Sequence, residues 1–97
     1  MSYTLVFRGA AAQDAFKAFV RYHSIRPSLG DRFFASLREV YDQIQDNPFS
    51  FQVRKGGFRH GFLRKFPYRV VYEVEGQEVF IYRIHHTRRR PSRKFGP

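Results

Sequence analysis

The sequence contains no cysteine and no tryptophan, and only one methionine. Without cysteine there are no disulfides and no thiolate metal sites, so packing alone must hold the core, and composition leaves the redox compartment open. No apolar run approaches the length of a membrane span. The residues after Met1 run straight into a strand pattern, without the basic and then apolar segments of a signal peptide, so a cytoplasmic location is the expectation. Acidic side chains are scarce, 8 against 18 Lys and Arg. The shortage is uneven: residues 1–53 carry 6 basic and 5 acidic side chains, residues 54–97 carry 12 and 3. A field of that sign attracts polyanions, which makes nucleic acid, the ribosome or an acidic protein segment the partners to consider. A scattered excess would speak only for solubility; a segregated one points to a surface.

Aromatic rings are plentiful, with 12 Phe and 6 Tyr among 97 residues. That length suits one domain spanning 1–97 with a single dense core. Residues 3–7 (YTLVF) read as a first strand ended by Arg8 and Gly9. Residues 10–23 place Ala12, Phe16, Phe19, Val20 and His23 on one face of a predicted helix, with Gln13, Asp14, Lys17 and Arg21 elsewhere on the wheel. Pro27 interrupts the pattern. Ser28 with Asp31 then resembles a capping pair for a second helix, whose inward stripe is Leu29, Phe33, Leu37, Val40, Tyr41 and Ile44 and which stops at Asn47-Pro48. Residues 49–57 are loop-like and end in a glycine pair.

Residues 58–91 read as three strands joined by two tight turns and followed by a basic tail. Tyr68, Val70, Tyr72 and Val74 alternate onto one face, while Arg69, Glu73 and Glu75 look mostly the other way. Gly76 supplies the unusual backbone angle of a hairpin turn. Phe66-Pro67-Tyr68 reads as a turn with core aromatics, and residues 92–97 as a mobile end. The expected class is α+β: an N-terminal strand, a helical hairpin, then a three-stranded antiparallel meander, with both helices on one face of the sheet. The partner of the first strand is open.

His85 and His86 are adjacent, so they point to opposite faces of a strand, one of them toward the helices. For the same reason they make a poor metal pair, and no metal site is expected. An arginine on an outer strand face, such as Arg69, is commonly solvated or paired with a glutamate across the sheet, and Glu73 and Glu78 are near enough in pattern to serve Arg69 or Arg83.

The early strand, the alanine-rich helix entry with Asp14, the second helix ending in Asn47-Pro48, FPYRVVYEV and RIHHTRRRP together resemble the RelE/ParE superfamily of toxins from type II toxin–antitoxin systems. The resemblance runs from Tyr3 to about Phe95 and implies a toxin neutralised in a hetero-oligomer by an acidic segment of a cognate antitoxin. RelE-like members cleave mRNA on the ribosome; ParE-like members inhibit DNA gyrase. The RelE-like activity is the leading expectation, the ParE-like one the alternative, and a non-toxic basic nucleic-acid-binding module a further alternative. Arg69 stands where RelE-like members place an arginine on the scissile phosphate.

Cleavage through the RNA 2′-hydroxyl needs a base, an acid and cations on the phosphorane. The resemblance implies Arg69, Arg64 and Arg89 for the cationic part and His86 and His60 for proton exchange. Arg59, Lys65, Arg88, Arg90, Arg93 and Lys94 are the expected phosphate contacts. Two departures from the RelE pattern are visible: the tail offers Phe95 in place of a Tyr or His, and His60 stands where one branch has lysine. No cofactor is implied.

Overall fold

Arg26 alone separates the two helices, α1 (Gly9–Ile25) and α2 (Pro27–Asp46). The computed structural model describes residues 3–88. Around the hairpin lie β1 (Thr4–Phe7), a single 3-10 turn (Lys55–Gly57), β2 (Arg59–Phe62), β3 (Tyr68–Glu75) and β4 (Glu78–His86). The expected cap pair falls inside α2. Arg26 is the cap residue, without a side-chain hydrogen bond, and Pro27 begins the helix, where a missing N–H costs nothing. At the other end the Asn47 N–H closes on the Gln43 carbonyl, as the Asn47-Pro48 stop predicts.

α2 buries the stripe read from the sequence: Phe33, Leu37, Val40 and Ile44 are at most 2% exposed. Each such side chain contributes about 1.5–3 kcal/mol of apolar burial. α1 departs from expectation. Phe16 is 67% and Val20 44% exposed, Ala12 and His23 are exposed, and of the predicted face only Phe19 is partly buried. The helix instead turns Ala11, Ala15, Ala18 and Tyr22 inward. An alanine row lets α1 lie close to its neighbours, whereas the larger side chains on the adjacent stripe find nothing to cover. The closeness shows at Gly30 on α2, where an added Cβ would lie 2.9 Å from the Cβ of His23.

The sheet order is β1-β4-β3-β2. β2, β3 and β4 form the expected antiparallel meander, and Gly76 in its second turn has φ 62°. β1, whose partner the sequence left open, pairs parallel with β4, Thr4 opposite Glu78 through Phe7 opposite Ile81, which makes the sheet mixed. A parallel pair needs a long connection, and here both helices and two strands supply it. Both helices cover one face, where Val70, Tyr72, Val79, Ile81 and Ile84 complete the core. Phe66 and Tyr68 meet Phe33 edge-on at 5.4 Å each, as expected of core aromatics at a turn.

A register shift separates Val71, opposite Arg83, from Tyr72, opposite Ile81, so Tyr82 is the extra residue of a bulge. β1 stops pairing at Ile81, leaving residues 82–86 without a strand on that side. Asp14 of α1 takes the strand's place: its Oδ2 accepts the Ile84 N–H at 3.0 Å and the Arg83 Nε–H at 2.7 Å, and its Oδ1 accepts from an Arg83 terminal nitrogen at 3.1 Å. Arg83 therefore pairs with Asp14, and Glu73 accepts instead from the Tyr82 hydroxyl at 3.0 Å. No helix among the described residues is long and apolar enough to cross a membrane. The tail 92–97 lies outside them.

Candidate functional site

Side chains directly opposite one another in an antiparallel pair share a face. Phe62, Arg69 and His85 form one such row across β2, β3 and β4, and His60, Val71 and Arg83 form the next. This is the face away from the helices. It brings together Arg69 and His60 of the predicted set and adds His85, which the sequence reading had not nominated. Tyr68 and His86 make up the neighbouring row on the helix side, where their rings meet edge-on at 5.0 Å. His86 and Arg69 thus occupy opposite faces.

Residues 53–58 run beside β2: Val53 bridges Arg59, the Arg54 N–H donates to the Phe58 carbonyl at 2.7 Å, and Gly56 and Gly57 take φ of 87° and 83°. The Arg54 guanidinium lies over the Phe62 ring at 5.1 Å, and Phe58 meets Tyr82 edge-on at 5.4 Å. Arg69 is 6% and His60 2% exposed, where an outer-face arginine was expected to be solvated or paired with a glutamate. Burial, and after it the charge of Arg54, lowers the Arg69 pKa from its ordinary value. Burial also lowers that of His85, with Arg83 and Arg69 adding to the effect and Asp14 opposing it.

The remaining predicted residues are dispersed. Arg64 is in the β2–β3 turn, 3.5 Å from Glu39 of α2, and its backbone carbonyl accepts from Ser36 at 2.9 Å. Lys65 in the same turn is exposed, with φ 68°. Arg59 donates to the Phe51 carbonyl at 2.6 Å and stacks over Phe49 at 5.2 Å, so it pins the loop after α2. Arg88 is exposed, and its N–H donates to His86 Nδ1 at 3.1 Å. Arg89, Arg90, Arg93, Lys94 and Phe95 lie outside the described residues. Among the described residues no group of three or more His, Cys, Asp or Glu is placed to hold a metal ion.

Arg69, His60 and His85 have the chemical types that phosphoryl transfer uses, two imidazoles beside a guanidinium. Their burial sets a condition on that chemistry. A substrate phosphate reaches Arg69 and His60 only when they are uncovered.

The family described as ParE toxin of type II toxin-antitoxin system, parDE, matches residues 5–91 of the chain. Among solved structures, the fold is similar to that in the chromosomal ParDE toxin–antitoxin system from P. aeruginosa. The TM-score is 0.76 at 21% identity, over 88% of this chain and 96% of the other. It is also similar to a chain of the toxin–antitoxin complex RelBE2 from Mycobacterium tuberculosis, with TM-score 0.56 at 21% identity, over 89% and 99% of the two chains. At such identity these likenesses speak for the fold. No curated protein matches the sequence.

Proposed function

Since the chain belongs to the ParE toxin family of type II toxin–antitoxin systems, we propose that it arrests growth by binding DNA gyrase, without cutting nucleic acid itself. The burial of Arg69 carries this reading. A ribonuclease must bring a base, an acid and cations onto one accessible phosphate. In this chain Arg69 and His60 are almost fully covered and His86 faces the helices. An inhibitor that works by binding needs only a surface, and the basic C-terminal half provides one. A cognate antitoxin is its partner, an acidic segment of which covers that surface in a toxin–antitoxin hetero-oligomer.

RNA cleavage is the second reading. It draws support from the sharing of one face by His60, Arg69 and His85. One culture distinguishes the two. After induction of the toxin in a sensitive host, DNA breaks with covalently attached gyrase and intact mRNA are expected. New mRNA 5′ ends within translated codons, lost in Arg69→Ala, would replace gyrase by the ribosome as the target.

A further inference from the structure

A recess lies at the edge of the sheet beside the Arg69 face and shares Arg83 and His85 with it. Because β1 ends its pairing at Ile81, α1 and not a strand runs beside residues 82–86 of β4, and the helix leaves a cleft of about 290 Å³. Asp14, Lys17 and Arg21 line its helical wall, spaced three and four apart so that they project from one stripe. Arg83, His85 and His86 line the opposite wall, with Tyr68 also in the lining.

The charges in the cleft do not balance. Lys17, Arg21 and Arg83 are cationic, and among the described residues the only carboxylate lining it is that of Asp14, whose two oxygens are engaged by Arg83 and the Ile84 N–H. His86 adds a donor: its Nδ1 accepts the Arg88 N–H, so the neutral ring carries its hydrogen on Nε2. The excess is two positive charges, which a dianion neutralises and a single carboxylate does not. We propose that this cleft is a phosphate-binding site that takes a doubly charged phosphate group. Tyr68 is 6% exposed and offers no ring face for a base, so the phosphate and not the nucleobase is recognised. A free nucleotide and the terminal phosphate of a nucleic-acid strand both present that group, whereas an internal backbone phosphodiester carries a single charge. The inference does not depend on gyrase being the target.

The test is a titration of the isotope-labelled full chain with sodium pyrophosphate at constant ionic strength, followed through the backbone amides of Ala18, Ile84 and His85. Saturable shifts centred on these residues are expected. Lys17→Glu with Arg21→Glu is expected to weaken binding by about tenfold or more, since the reversed charges stand at the ligand. Arg32→Glu with Arg38→Glu, the same charge change on exposed positions of α2, is expected to alter it far less, because distant charges are screened.

All variants are first checked for native circular dichroism. Displacement of pyrophosphate by adenosine 5′-monophosphate supports the site with a free nucleotide as its source; displacement by a 5′-phosphorylated DNA duplex and not by the same duplex without its terminal phosphates supports it with a strand terminus as the source, and equal displacement by both duplexes would overturn it. Absence of saturable shifts, equal weakening by the α2 pair, or glutamate competing as well as phosphate would overturn the proposal.

Discussion

Asp14 and Arg83 are 69 positions apart in sequence and form a two-point ion pair, at 2.7 and 3.1 Å, that ties the first helix to the last strand. The same carboxylate satisfies the Ile84 N–H at the strand edge that β1 leaves unpaired. Sheet edges with open donors invite pairing with other chains, and here one helical side chain closes the gap.

Asp14→Ala removes the partner of Arg83 and of the Ile84 amide together. A loss of about 1–3 kcal/mol in urea unfolding is expected, toward the lower end because the Arg83 side chain is 39% exposed. Asp14→Asn keeps an acceptor oxygen and is expected to recover part of it.

Gly30→Ala tests the helix crossing. The new methyl meets the backbone and Cβ of His23 at 2.9–3.2 Å, and a loss of about 1–3 kcal/mol is expected as the helices separate. Gly9→Ala, whose Cβ meets nothing within 4 Å, serves as the control with no such loss.

Phe16→Ser tests which face of α1 is buried. At 67% exposure the ring contributes little, and a change within about 0.5 kcal/mol is expected. Phe33→Ala, at 0% exposure, is expected to cost about 3–5 kcal/mol. Equal losses from the two variants would restore the stripe expected from the sequence.

His85 gives stability a pH dependence. Its folded pKa lies below the ordinary value of 6.5. Between the two values the unfolded chain holds the extra proton, so stability falls as pH drops through about 6.5 and levels off below the folded pKa. Urea midpoints of wild type and His85→Gln, measured from pH 8 down to 5, are expected to differ in slope within that window and to run parallel above it.

The meander, α2 and the aromatic turn at Phe66-Pro67-Tyr68 were legible because their apolar residues are large and regularly spaced. α1 was misread because its buried row is mostly alanine, which a hydrophobic pattern underweights beside Phe16 and Val20. The choice of His85 over His86 as the neighbour of Arg69 was within reach of alternation, since Ile84 is a core residue and its successor must face outward. The parallel pairing of β1 and the ion pair between Asp14 and Arg83 depend on segments distant in sequence. No local spacing encodes them.

Purified toxin mixed with DNA gyrase and supercoiled plasmid gives the most direct reading of the target. Accumulation of linear DNA that carries covalently bound gyrase, undiminished in Arg69→Ala, is the expected result. Unchanged gyrase activity at excess toxin, with codon-dependent cleavage of ribosome-bound mRNA that disappears in Arg69→Ala, would contradict it.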